Sequence, residues 1–294
     1  LMISRLVIVG VGLIGDSVAL SLRRAGVVKT IVGVGRSESS LVVAKNLKIV
    51  DEISMSLSEA IKDADMIILA VPLTATIRIL RQLGPTLESS TVLTDVGSAK
   101  EQIVFDARES LGKAFCRFVP GHPIAGSEDR GATAAFADLF KNHRVLLTPV
   151  EETDVDAVAK VKNMWEATGA IVSQLDANTH DRKLAITSHL PHIIAYNLMN
   201  LLIAEGGEES FLDFMGGGFR DATRIASSAP EMWTDIVMNN REQVLSACQR
   251  YMDKFTEFME ALENKDDREI LMLFEKGKKA RDRCFIPEAN KNEK

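Results

Sequence analysis

Short β-branched runs alternate with amphipathic stretches through the first half of the chain, the pattern of repeated strand–helix–strand units on a parallel sheet. Residues 5–10 (RLVIVG) read as the first strand. Residues 15–24 carry Val18, Leu20 and Leu22 among small side chains, which suits a helix packed closely on the sheet and stopped by Gly26. Residues 29–35 form the second strand, and 65–71, 91–96, 118–121, 145–148 and 170–175 are further buried-strand candidates. Beyond Asp176 the strand signals stop, and 180–204 and 241–261 show helical spacing with charges on one face. The expected architecture is an α/β domain over residues 1–175 followed by an all-helical domain over 176–294, with the charge-rich stretch 276–294 fraying.

Composition fits a globular protein: 46% of the 294 residues are hydrophobic and 26% charged. With 35 basic and 41 acidic side chains the formal charge is −6, so no global field draws in a phosphate backbone, and nucleic acid is not an expected partner. Cys116, Cys248 and Cys284 fit neither a disulfide framework nor a zinc site, consistent with a reducing compartment. No run of about 18 apolar residues escapes interruption by charge or glycine, so neither a transmembrane helix nor a membrane partner is expected. The opening Leu1-Met2-Ile3 run is short and lacks a basic leader, so no signal peptide is expected and the location is expected to be cytoplasmic.

Gly10-Val11-Gly12-Leu13-Ile14-Gly15 is a GxGxxG between the first strand and the first helix. The first glycine of such a motif permits a tight turn, the second lets backbone amides approach a pyrophosphate, and the third allows close helix packing. The helix N-terminus adds positive potential. A Rossmann-type dinucleotide-binding domain follows, with Gly10, Gly12, Leu13, Ile14 and Gly15 at the cofactor. The alternative is a glycine-rich turn without ligand, which the flanking strand, helix and second strand disfavour. About twenty residues on, where an acidic residue would bind the ribose 2′-hydroxyl of NAD, the chain has Gly35-Arg36-Ser37. Arg36 suits pairing with a 2′-phosphate and Ser37 suits hydrogen-bonding it, which favours NADP. In the alternative, Arg36 stacks on adenine and either cofactor enters, NAD included, with Glu38 nearby in its support.

Substrate chemistry has two candidate segments. Residues 94–100 (TDVGSAK) put a hydroxyl, Ser98, and a cation, Lys100, at the C-terminal end of a strand, the side where open α/β sheets bind ligands. Residues 120–128 (PGHPIAGSE) end the next strand with His122, whose ordinary pKa of about 6.5 suits acid–base work near neutrality. The neighbouring glycines and prolines also permit a purely structural histidine in a turn.

Taken together, the GVGLIG loop, the strand ending Ala70-Val71-Pro72, the DVGSAK and GHPIAGSE segments, and SHLPH (188–192) and GGGFRDATRIA (216–226) in the helical half resemble the prephenate/arogenate (cyclohexadienyl) dehydrogenase family of tyrosine biosynthesis, almost end to end. The resemblance implies oxidative decarboxylation of a cyclohexadienol, arogenate or prephenate, with hydride passing to a nicotinamide cofactor. It implies that His122 is the general base, that Ser98 orients His122 and the substrate hydroxyl, that Arg224 grips a substrate carboxylate, and that His189 faces the substrate. Val71 and Pro72 would line the cofactor. The resemblance further implies Ser127 as a substrate-binding residue, Glu128 near the substrate's side chain, Asp221 orienting Arg224, and Trp233 reaching in from the partner subunit of a homodimer. Each of the last three has a plain alternative: a solvated charge for Glu128, a helix cap for Asp221, an interface or core anchor for Trp233. The three glycines 216–218 are expected to pass close to ligand or take positive φ, or else to form a flexible loop.

His189 and His192 are three apart, yet no matching carboxylate or cysteine pair accompanies them, Pro191 between them kinks a helix, and hydride transfer needs no metal; none is expected. His192 is expected to be structural, and His180 beside Asp181 to be a hydrogen-bonding residue at a helix start. No separate mutase or regulatory segment is expected. Two rival functions stay open: another two-domain Rossmann dehydrogenase, which would lack the combined segments, and a dinucleotide-sensing module without chemistry, in which His122 and Arg224 are structural.

Overall fold

The computed structural model describes residues 2–126 and 131–285, which leaves the Ser127 and Glu128 assignments outside the described residues. Strands β1 (Ile3–Val9), β2 (Val28–Val34), β3 (Glu52–Ser54), β4 (Met66–Leu69), β5 (Val92–Asp95) and β6 (Phe118–Val119) form a parallel sheet in the order β3-β2-β1-β4-β5-β6. Between them run α1 (Leu13–Arg24), α2 (Glu38–Asn46), α3 (Leu57–Ala60), α4 (Leu73–Leu83) and α5 (Glu101–Leu111).

The continuous apolar runs read as strands because both sheet faces are covered. In β1, Leu6 and Ile8 pack with Val18 and Leu22 of α1 and with Trp165 of α6 (Val155–Ala167). Val7 and Val9 point to the other face, among Leu73 and Leu80 of α4 and Ile103 of α5. The chain leaves β1 for β2 on one side and reaches β4 on the other, so the loops after β1 and β4 diverge at the C-terminal edge and open a crevice there.

One strand expectation is corrected. Residues 118–121 were expected as one strand of the parallel sheet, but it breaks at Pro120, which has no N–H to give the ladder. The chain restarts as β7 (Gly121–Pro123), antiparallel to β8 (Arg144–Leu147), which in turn pairs in parallel with β9 (Ile171–Gln174) in a separate three-stranded sheet. The break turns Gly121 and His122 away from the main sheet.

The helical half is likewise not one long helix over 180–204. It runs as α7 (Ala177–Leu184), a π-turn (Ala185–His189) and α8 (Leu190–Ala204), with Pro191 in the first turn of α8. At 3.6 residues per turn, nine residues of α-helix put His180 and His189 about half a turn apart; a π-turn absorbs one residue and brings them to within roughly 80°. Both are fully buried.

Further on are α9 (Gly217–Thr223), α10 (Pro230–Asn239), α11 (Arg241–Glu263) and α12 (Asp267–Cys284). Gly217 and Gly218 open α9 and Gly216 has φ −79°, so none of the three needs positive φ. Of the stretch expected to fray, residues 276–284 are helical instead: α12 is capped by the Asp266 carboxylate on Glu269 N–H and continues to Cys284, supported by a Lys279–Glu275 pair one turn apart, while residues 286–294 lie outside the described residues. The chain divides into two compact units, one ending at Val244 and one beginning at Leu245. Among the described residues no helix is long and apolar enough to cross a membrane.

Candidate active site

The glycine loop is built for a dinucleotide. Gly10 has φ +108°, and a Cβ there would lie 2.3 Å from the Ala70 carbonyl oxygen, so the loop and the end of β4 touch. A Cβ on Gly15 would lie 2.3 Å from the Gly10 carbonyl, which lets α1 start directly against the turn. Over Gly12, by contrast, there is open space, and this residue caps α1 without any side-chain bond to the first-turn amides. Free main-chain donors, a helix N-terminus and room for close approach suit a pyrophosphate. Val71 and Pro72 follow β4 beside this loop, and Pro72 caps α4. At the end of β2, Ser37 caps α2 by accepting from Ser40 N–H at 3.3 Å, with Arg36 exposed immediately before it.

A buried polar cluster lies where β5, β7, α5 and α7 meet. Asp95 closes β5; its Oδ2 accepts from Gly97 N–H at 2.7 Å and its Oδ1 from Gly121 N–H at 3.1 Å. Lys100 does not offer a cation to a ligand, as its place after β5 had suggested. Its ammonium is fully buried, 2.5 Å from Asp95 Oδ2 and 2.8 Å from the Gly121 carbonyl. Burial pulls Lys100 below its ordinary value, against the opposing attraction of Asp95. Asp95 and Lys100 thus grip both polar atoms of the residue before His122.

His122 Nδ1 lies 2.9 Å from His180 Nε2, and His180 Nδ1 lies 2.7 Å from Asp181 Oδ1. Burial, and then the neighbouring His180, Lys100 and His189, hold His122 well below the usual imidazole range, so it is uncharged at neutral pH. His189 sits across the cluster. Asn240 Nδ2 donates to the Asp181 carbonyl at 2.9 Å and lies 3.1 Å from His189 Nδ1, which makes Nδ1 the acceptor and Nε2 the N–H of that ring. This Nε2 is buried, with the Ser98 main chain nearby but no hydrogen bond of normal geometry among the described residues, while burial pushes the ring down to about 4. Ser98 is half-buried in the loop after β5. The cluster thus holds a neutral imidazole, His122, and a neutral imidazole N–H donor, His189.

Residues 18–174 match the family profile described as prephenate dehydrogenase, nucleotide-binding domain, and residues 176–276 match the prephenate dehydrogenase, dimerization domain. The cyclohexadienyl dehydrogenase of Zymomonas mobilis is 32% identical over 93% of this chain and 94% of its own length. The chain belongs to the prephenate dehydrogenase family. Among family members, the Bacillus subtilis prephenate dehydrogenase is 34% identical over 94% of this chain and 75% of its own. The Aquifex aeolicus prephenate dehydrogenase, solved in complex with hydroxyphenyl propionate and NAD+, superposes with a TM-score of 0.91 at 34% identity, covering 97% of this chain and 99% of that one. The Synechocystis arogenate dehydrogenase does so with a TM-score of 0.82 at 29% identity, over 96% of this chain and all of that one.

Within this chain the Trp233 ring is half-buried and stacked on His192, at 3.5 Å between centroids and 22° between planes. Packing of α10 on α4 places it there, and the Asp235 carboxylate accepts from Thr74 N–H at 3.2 Å at the start of α4. Asp221 is exposed on α9 and has no hydrogen bond or ion pair among the described residues, so orientation of Arg224 by Asp221 has no contact behind it. Arg224 begins the turn after α9 and lies close enough to His192 to disfavour its protonation. His192, Tyr196 and Trp233 line a cleft of ≈ 290 Å³ between α8 and α10. His189 and His192 spend their Nδ1 atoms on Asn240 and on the Ser188 carbonyl, and no metal-ligating group of three occurs among the described residues.

Sequence reading gave Asp95, Asp181 and a buried Lys100 no place in the cluster, and gave His180 beside Asp181 only a hydrogen-bonding role at a helix start. The one available signal was the adjacent His180-Asp181 pair close behind the last strand.

Proposed function

We propose that this chain oxidatively decarboxylates a cyclohexadienol, prephenate, arogenate or both, in tyrosine biosynthesis, with NADP preferred as hydride acceptor. The observation that carries the reading is His122: a buried imidazole kept unprotonated at neutral pH, directly after Gly121, which Asp95 and Lys100 hold at the C-terminal end of β5. His122 accepts the proton of the substrate's ring hydroxyl, with Ser98 orienting both. Gly10, Gly12, Leu13, Ile14, Gly15, Val71 and Pro72 would hold a nicotinamide cofactor, which would supply the hydride acceptor for the carbon bearing that hydroxyl. The ring carboxylate departs as CO2, its bond electrons complete the aromatic ring, and His122 returns its proton to the phenolate oxygen. His189 Nε2–H donates a hydrogen bond to a substrate oxygen, and Arg224 binds a substrate carboxylate through its planar fork.

Arg36 and the serine hydroxyls at the start of α2, Ser37 and Ser40, support a 2′-phosphate. No acidic side chain occupies Gly35, Arg36 or Ser37 to repel it. The functional division is placed near residue 175, with nucleotide binding before it and substrate binding and dimerisation after it. On α11, Met252, Phe255, Met259 and Leu262 recur at three- and four-residue spacing and all are exposed, the form of a helix face awaiting a second copy of the chain.

The test is absorbance at 340 nm in four mixtures pairing prephenate or arogenate with NAD or NADP. Reduced cofactor is expected in at least one, with higher kcat/KM for NADP. Four flat traces from folded, dinucleotide-binding protein would overturn the reading in favour of a sensing module.

A further inference from the structure

We propose that His180 and Asp181 are positioning residues which, with His122, form a three-residue relay fixing the proton arrangement that leaves Nε2 of His122 as the basic nitrogen. The proposal rests on the reading of His122 as general base.

Asp181 anchors the relay. Its Oδ1 accepts from Lys100 N–H at 2.8 Å and its Oδ2 from Glu101 N–H at 2.9 Å, both at the start of the eleven-residue helix α5. Both oxygens thus serve as acceptors for main-chain donors at the positive end of a helix. A carboxylate only accepts, so His180 Nδ1, 2.7 Å from Oδ1, carries the hydrogen. A neutral imidazole has one N–H, which makes His180 Nε2 an acceptor. His122 Nδ1, 2.9 Å from that atom, is therefore the donor, and the lone pair of His122 lies on Nε2.

Reversing the first link reverses all of them: an N–H at His180 Nε2 would need a lone pair at His122 Nδ1, and His122 would enter the reaction with Nε2 already protonated. The relay acts during turnover as well. When His122 takes the substrate proton at Nε2, its Nδ1–H donates to His180, behind which stands the Asp181 charge. Lys100 at the head of α5 and His189 in the π-turn oppose that charged state, and Asp95 on β5 pairs with Lys100, so Asp181 is the carboxylate that acts on His122 through a direct hydrogen-bonded path.

The experiment has two arms. In wild-type protein carrying 15N-histidine, two-bond 1H–15N correlations near pH 8 read the tautomers directly, with peaks assigned through His122→Ala and His180→Gln variants. Both rings are expected as the Nδ1–H form. A His122 ring in the Nε2–H form would overturn the relay, and this measurement does not depend on any variant of Asp181 folding. In the second arm, folded Asp181→Asn is expected to lose about 100- to 10,000-fold in kcat, the scale seen when an orienting aspartate becomes asparagine. Its dinucleotide Kd should be unchanged, its acid limb in kcat should move to lower pH, and Asp181→Glu should restore part of the rate. Asp181→Asn with kcat within threefold of wild type and an unmoved limb would sink the proposal. If instead His122→Ala keeps its turnover while the wild-type tautomers are as expected, it is the general-base reading that fails.

Discussion

Asp95 and Lys100, five residues apart and both fully buried, face each other at 2.5 Å and share the Gly121 peptide between them. A buried pair of this kind has little net value over an apolar pair, but removing one partner strands a charge, at a cost of about 3–5 kcal/mol. Lys100→Met is expected to lower unfolding stability by that amount, and Asp95→Asn/Lys100→Met to recover most of it. Urea unfolding of the three proteins checks this; single and double variants of equal stability would show that the two groups do not depend on each other.

His122 is held below the usual imidazole range first by burial, then by its neighbours His180, Lys100 and His189. A base with a lowered pKa stays competent on acidification, so kcat/KM should remain flat as pH falls through 6.5, with its acid limb below that value. His122→Ala should reduce kcat by about 100- to 10,000-fold without weakening dinucleotide binding. A limb at or above pH 7 would contradict the burial seen for this ring.

Arg36 stands exposed beside the capping residue Ser37, with a place on the 2′-phosphate in the proposed complex. Charge-assisted hydrogen bonds contribute about 1.5–3 kcal/mol. Arg36→Ala is therefore expected to raise KM for NADP by roughly 10- to 150-fold and to leave KM for NAD nearly unchanged. Equal effects on both cofactors would place Arg36 on the adenine.

Asp16 lies in the first turn of α1 with neither carboxylate oxygen bonded among the described residues, and burial pushes its pKa up to about 7. Between pH 4 and 7 the folded protein keeps a proton that the unfolded chain has released, so this group's contribution is full below about pH 4 and declines as pH rises to about 7. Asp16→Asn should be more stable than wild type above pH 7 by on the order of 1–3 kcal/mol, and no more stable at pH 4. Thermal melts of both proteins across pH 4–8.5 check the sign; a constant difference would remove Asp16 ionisation as the cause.

The first strand, the glycine loop and α1 were legible from sequence because their determinants are local: a continuous apolar run, glycines at fixed spacing, a helix pattern directly behind. The parallel order of the sheet follows from the same repeat. Segments that carry chemistry were legible too, as motifs at strand ends. What they do there was not, because Lys100 could equally have served a ligand until Asp95 and Gly121 were seen to enclose it.

By itself the sequence determined the alternation of strands and helices in the first half and where a dinucleotide can sit, and it singled out the segments that hold His122 and His189. Only the tertiary structure decided which polar groups meet. The break at Pro120 sends His122 out of the main sheet, the π-turn rotates His189 toward the side of His180, and α7 brings Asp181 onto the start of α5, 80 residues away in the chain. Such meetings depend on the phase of helices and the direction of strand ends, and burial then sets the proton affinities of the groups so joined. Neither is encoded in the spacing of residues along one element.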